Sequence, residues 1–331
     1  MNVQLIAFTE RGEALANRLA EDLGGKAMRC GRPLSLAEWT KRAFESAEAL
    51  IFVGAAGIAV RAIAPYVKSK TQDPAVVVVD ETGTFAISLL SGHLGGANEL
   101  TRQVAERCGA IPVITTATDR NGVFAVDSWA SMQGCIVQNP RHIKEISARL
   151  LSGGTVRLYS PWPIDGVMPL NIMLTDEPDC DVMLTLKRTG RDVLRVIPKI
   201  AVLGVGCTKN TDQGAIEAAF KAICTQEDLD PAAFSLVCSI DRKAEEPGLL
   251  AFCQAHGLPF QTYSAEQLQQ AEGDFSASSF VQSVTGVDNV CERSAVLGSG
   301  GTLYLKKHAG NGVTMAVALR TFHPNWRWRN E

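Results

Sequence analysis

The sequence predicts an α/β protein, with N-terminal and C-terminal α/β domains built on mostly parallel sheets and joined by a small α+β middle domain. Three observations carry this. Apolar runs of strand length alternate with helical stretches through the first third of the chain. The rhythm breaks between 135 and 198, where short strand-like pieces are separated by Pro, Gly and Asp, and it returns from 199 onward. Continuous β-branched runs separated by helices are the pattern of parallel strands covered on both faces. At 331 residues the chain is long for one core, and its three textures divide it at 1–134, 135–198 and 199–331.

In the first domain VQLIAF (3–8) is a strand, followed by a helix from Glu13 to Leu23. ALIFVG (49–54) precedes the helical IAVRAIAPYV, AVVVVD (75–80) is a strand, and IPVIT (111–115) precedes VFAVDSWASMQG. SGHLGGAN (91–98) runs into a helix from Ala97 to Cys108, marked by Leu100, Val104 and Cys108 at four-residue spacing. In the middle, Asn139 and Pro140 are placed to begin a helix that ends at Gly153-Gly154. TVRLYS, NIMLTD, DVMLTLKR and VLRVIP follow as short strands. KIAVLGVGCTKNT is then a strand, a glycine turn and a helix from Asp212 to Cys224. FSLVCSIDRKAEE is a strand into a polar turn, and LLAFCQAHG a helix closed by Gly257. The stretch from Cys291 reads as a glycine turn and two strands around HAGNG, a hairpin.

Composition excludes several classes. The hydrophobic fraction is 46% and the charged fraction 20%, as in ordinary globular proteins. A net charge of −3 leaves no basic field for nucleic acid. Apolar runs stop at strand length, so no membrane helix is expected, and the N-terminus reads as a first strand, not a signal peptide. Nine scattered cysteines with no CxxC pair favour reduced thiols in a cytoplasmic protein over disulfides or structural zinc. GVGCTKN lacks the spacing of a dinucleotide or P-loop signature. No cofactor and no protein-held metal are expected.

The chemistry-bearing residues cluster at turns. In open α/β sheets ligands bind beyond the carboxyl ends of strands, and GAAGIAVR, SGHLGGAN and TTATDRNG are all placed there, converging on one edge. His93 is one of five histidines and sits in a glycine turn, where an imidazole of ordinary pKa near 6.5 could act as a general base. Asp119 could orient it, act as acid or base itself, or cap a helix. Glu99 could share the catalytic work or simply complement the dipole of its helix. Gly54, Gly57, Ser91, Gly92, Gly95, Gly96 and Asn98 supply a backbone that a ligand can approach, and Thr116 a hydroxyl. Arg61 could hold a carboxylate or face solvent. In the last domain Cys207, Thr208 and Lys209 mark an anion-seeking turn, Cys207 reading more as a structural thiol than as a nucleophile. Asp241 and Arg242 could clamp a substrate or form a surface turn, and Gly300 in GSGGT could meet a ligand or a neighbouring strand.

GAAGIAVRAIAP, SGHLGGANELT, TTATD, GVGCTKNT, SIDRKAEE and LGSGGTLYLKKH, in that order, resemble the cobalt-precorrin-5A hydrolase family, the lactone-opening enzymes of the anaerobic route to cobalamin. The resemblance spans nearly the whole chain and is weakest in the middle domain. It implies a cobalt-corrinoid tetrapyrrole substrate whose ring A δ-lactone is opened by water and whose extruded carbon leaves as acetaldehyde. It also implies that the cobalt arrives with the substrate, and neighbouring pathway enzymes are candidate partners. In that chemistry His93 with Asp119 would supply the base and the amides of Gly92–Gly96 the oxyanion donors. Arg61, Lys209 and Arg242 would be clamps for peripheral carboxylates. A carrier of the same corrinoid, with His93 as axial cobalt ligand, is the competing class. A methyltransferase of the pathway is weaker, because no S-adenosylmethionine loop stands out.

Overall fold

The computed structural model describes residues 2–69, 72–93, 95–116, 122–176 and 179–328. The described residues form three sheets, of six, five and five strands. The first unit comprises β1 (Val3–Ala7), α1 (Glu10–Leu23), β2 (Lys26–Arg29), α2 (Leu36–Ser46), β3 (Ala49–Val53), α3 (Ala56–Ile63), β4 (Ala75–Val79), β5 (Phe85–Leu90), α4 (Ala97–Cys108) and β6 (Ile111–Val113). Its sheet runs β2-β1-β3-β4-β5-β6. Alternate side chains explain why the strands are apolar throughout. Leu5, Ile51, Val53, Val77 and Val79 pack under Leu15 and Leu19 of α1 and Leu100 and Val104 of α4. Ile6, Leu50, Phe52, Val76 and Val78 pack on the other face with Trp39 of α2 and Ile63 of α3.

The sheet is parallel except at one place, and that place decides where the site lies. β4 and β5 pair antiparallel, with Val79 opposite Ala86 and Val76 opposite Leu90. β6 then runs parallel to β5. The chain therefore leaves β5 and β6 at the edge where β4 begins, while it leaves β3 at the opposite edge.

The middle unit contains α5 (Val126–Met132), β7 (Cys135–Gln138), α6 (His142–Leu151), β8 (Val156–Tyr159), β9 (Ile172–Leu174), β10 (Val182–Leu184) and β11 (Leu194–Pro198). Its sheet order is β7-β11-β10-β8-β9, with β7 antiparallel. Its core takes in more chain than residues 135–198: Phe124, Val126, Trp129 and Ala130 enter from upstream and Trp326 from the C-terminus. Asn139 does not cap α6; it adopts a left-handed backbone (φ 57°) and donates through Nδ2 to the Val193 carbonyl at 3.0 Å.

The last unit holds β12 (Ala201–Cys207), α7 (Gln213–Gln226), β13 (Phe234–Ile240), α8 (Pro247–His256), β14 (Phe260–Tyr263), α9 (Ala265–Gln269), α10 (Ser279–Thr285), α11 (Cys291–Ser299), β15 (Thr302–Gly310) and β16 (Val313–Leu319). Its sheet order is β14-β13-β12-β16-β15. β15 and β16 form the expected hairpin, turning at Asn311 (φ 51°) and Gly312 (φ 76°). Both positive values are those of a type I′ turn, which suits the right-handed twist of the flanking strands. The middle and last units share packing. Leu186 and Ile197 belong to the core under α7, and Arg195 Nη2 meets Asp230 Oδ2 at 2.7 Å with both side chains nearly inaccessible.

Candidate active site

The glycine-histidine turn follows β5 and is held from several sides. Ser91 takes a left-handed conformation (φ 58°) and donates its hydroxyl to the Asp73 carbonyl at 3.0 Å, tying the turn to the start of β4. Asn98, 4% exposed, accepts from Ser88 Oγ of β5 at 2.7 Å and donates to Thr116 Oγ1 beyond β6 at 2.9 Å. Of the three glycines before α4, Gly92 and Gly95 are required by crowding. A Cβ on Gly95 would stand 2.3 Å from Ser91 Cβ, and one on Gly92 would stand 2.7 Å from Asn98 Oδ1. The residue types of SGHLGGAN thus fold the turn onto itself.

This folding changes what the turn can offer. The amides of Gly96, Ala97 and Asn98 donate to the carbonyls of His93, Ser91 and Gly92 at 2.9, 3.1 and 2.9 Å. These three N–H groups complete the turn and are not oxyanion donors. Glu99 binds along its own helix, to Gln103 Nε2 at 3.1 Å and Arg102 Nη1 at 3.6 Å, an arrangement that fits the helix-surface role better than a catalytic one.

His93 is aimed out of the first unit. Its Nδ1 lies 3.3 Å from Oδ2 of Asp127, with the two side chains 16% and 4% exposed. Asp127 belongs to the first turn of α5 in the middle unit, where its Oδ1 accepts from the Ser128 amide at 3.0 Å. A carboxylate facing Nδ1 favours the neutral tautomer that carries its proton there, leaving Nε2 as the basic nitrogen. The pair brings an imidazole and a carboxylate together from two units of the chain, the kind of couple that general-base chemistry uses. Asp119, the partner expected from the sequence, lies outside the described residues. Asp127 was hidden in VFAVDSWASM, where it reads as a residue of an amphipathic helix, and no spacing links it to His93.

The other expected groups divide between edges. Gly54, Gly57 and Arg61 follow β3 and lie at the edge opposite His93, because β5 reverses the chain. Gly54 abuts the Phe8 ring, and the Arg61 guanidinium folds back over Gly57. The expected convergence of three turns on one edge is therefore corrected to two, SGHLGGAN and the segment after β6.

In the last unit, Cys207, Thr208, Lys209, Asp241 and Arg242 do share an edge, where β12 and β13 end. The Thr208 amide donates to the Gly312 carbonyl at 3.0 Å. Lys243 Nζ, next to Asp241 and Arg242, donates to the Thr208 carbonyl at 2.9 Å and to Glu246 Oε2 at 2.7 Å. That hydrogen bond holds the Glu246 carboxyl below its ordinary value. Arg242 is engaged with the Val284 carbonyl and Asp241 with the Arg242 amide. Burial pushes the Cys207 thiol up, which disfavours a nucleophilic thiolate. Gly300 stands at the opposite edge, closing α11 in the left-handed conformation (φ 60°) with its amide on the Val296 carbonyl. It is a helix terminator, not a ligand contact. Among the described residues, no cluster of three or more His, Cys, Asp or Glu could hold a metal, and no helix is long and apolar enough to cross a membrane.

Comparison with known proteins covers the same three units in order. A family model described as Cobalamin synthesis G N-terminal matches residues 38–119, one described as Cobalamin biosynthesis central region matches 124–197, and one described as Cobalamin synthesis G C-terminus matches 201–318. The cobalt-precorrin-5A hydrolase of Salmonella typhimurium is 34% identical over 96% of this chain and 97% of its own. That of Priestia megaterium is 34% identical over 83% of this chain and 79% of its own. The probable cobalt-precorrin-5A hydrolase of Methanocaldococcus jannaschii is 26% identical over 81% and 84%.

Proposed function

The chain belongs to the cobalt-precorrin-5A hydrolase family, enzymes of cobalamin biosynthesis, and from that premise we propose how its own residues act on a cobalt-corrinoid lactone. The observation that carries the reading is the His93–Asp127 contact at 3.3 Å. Nε2 of His93 takes a proton from water as its oxygen adds to the carbonyl of the ring A δ-lactone. The tetrahedral oxyanion collapses, the ester C–O bond breaks, and the imidazolium returns its proton to the departing alkoxide on the extruded carbon. Asp127 holds the ring in the required tautomer and stabilises the imidazolium while it exists. Removing the proton of the new alcohol then lets the C–C bond to the macrocycle break. Acetaldehyde leaves, and the electron pair stays in the ring.

Cobalt enters as part of the substrate. Lys209 and Thr208, on the exposed edge of the last unit, are candidates to receive peripheral carboxylates of so wide a molecule. Arg61 is set aside for the His93 site, because it lies on the far edge of its sheet.

The test is incubation of the chain with the lactone while trapping acetaldehyde. Many equivalents released per chain support the enzyme. Binding with no more than one equivalent released would leave a corrinoid carrier and overturn the reading.

A further inference from the structure

Asp127 stands on a helix that cannot hold itself in place. α5 has seven residues, and its N-cap Ala125 provides no side-chain hydrogen bond. Helices that short are marginal without tertiary support. Part of that support is the middle unit's own core, where Val126 and Trp129 cluster with Ile143 and Ile146; the rest comes from the far end of the chain. After β16 the tail passes into the middle unit, where Phe322 packs edge-on against Trp162. The Asp165 amide donates to the Pro324 carbonyl, and the Trp326 amide to the Asp165 carbonyl, both at 2.9 Å. Beyond that strap the tail grips α5 directly. Trp129 Nε1 donates to the Asn325 carbonyl at 2.6 Å, and the Trp129 and Trp326 rings stack at 5.8 Å. Gln133 accepts from the Asn325 amide at 3.0 Å and donates to the Arg327 carbonyl at 3.2 Å. Trp326 and Trp328 also flank Phe124, the residue that leads into α5.

We infer that the C-terminal tail, through Trp326, is a positioning element for the active site: it locks α5 so that Asp127 meets His93. This rests on the reading of His93 and Asp127 as the reacting pair. Displacement of a positioned group by about 1 Å can cost on the order of 100-fold in rate, so loss of the clamp should be visible in kcat well before the fold is lost.

The experiment is a double-mutant cycle in the full chain, comparing Trp326→Ala, Asp127→Asn and their combination by kcat, KM and pH profile. Trp326→Ala should lower kcat roughly 10- to 100-fold with KM little changed. Its pH profile should move in the same direction as that of Asp127→Asn, and the combination should be little worse than Asp127→Asn alone. Trp326→Phe, which keeps a ring in the stack, should recover most of the rate. If Trp326→Ala does not fold, Gln133→Ala removes that residue's hydrogen bonds to the tail while leaving the tryptophans, and takes its place in the cycle. Fully additive losses, or an unmoved pH profile, would overturn the clamp while leaving the catalytic pair intact. Wild-type turnover in Asp127→Asn would overturn both.

Discussion

At the scale of single residues, His93→Ala should leave a folded chain whose acetaldehyde release falls by about 10²–10⁴-fold, the usual cost of losing a general base. Its imidazole faces Asp127 and belongs to none of the buried apolar clusters, so thermal melting should change little; a variant with near-wild-type turnover would remove His93 as base. Asp127→Asn keeps the shape and removes the charge. A carboxylate beside an imidazole favours its protonated form, so removing it makes His93 easier to deprotonate. Activity requires the unprotonated ring, so the acidic limb of the rate profile should shift to lower pH, with a reduced plateau. A limb that stays in place with full turnover would leave Asp127 as a helix residue alone. His93 was legible in the sequence because a rare residue sat in a glycine turn. Asp127 was not, since its meaning depends on a contact 34 positions away that no periodicity encodes.

At the scale of elements, the turn between β5 and α4 is a crowded knot, and one methyl group tests it. Gly95→Ala would bring Cβ within 2.3 Å of Ser91 Cβ and 2.8 Å of the Ser91 carbonyl. The turn must open to admit it, carrying His93 away from Asp127, so a loss of about 100-fold in rate is expected. The sheet packing is remote, and circular dichroism should stay that of the wild type; unimpaired catalysis would mean that the turn need not be tight. The hairpin of β4 and β5 is one of the elements that sequence reading passed over. VVVVDETGTFAISLL contains it: Asp80 accepts from the amides of Thr82 at 2.9 Å and Phe85 at 2.6 Å, closing a turn between two strands. Read as part of a purely parallel sheet, the segment puts GAAGIAVR and SGHLGGAN on one edge. One reversal sends them to opposite edges, which is why Arg61 is remote from His93.

Over the whole molecule, the units are joined by polar groups shielded from water. Asp230 is held by Arg195 and by Gln138 Nε2 at 3.1 Å. Asp230→Ala would leave the Arg195 charge buried without its partner, which costs about 3–5 kcal/mol. A lowered denaturation midpoint is therefore expected, while a double replacement by apolar residues of similar volume should be far milder. An Asp230→Ala chain as stable as the wild type would show that water reaches this interface.

Strand and helix periodicity determined that the chain is α/β, that it has a distinct middle portion, and that its glycine turns are special, because alternating burial and backbone conformation are local properties. The six motifs also carried the family. Tertiary structure decided the rest. A single antiparallel pair set which turns share an edge, and internal hydrogen bonds took up the amides of Gly96, Ala97 and Asn98 at the start of the helix. Packing of the terminal tryptophans on a seven-residue helix delivered a carboxylate to the histidine. These outcomes depend on contacts between residues distant in the chain, whose free energies arise only when strands pair and side chains lose water together, and no local pattern of residues encodes them.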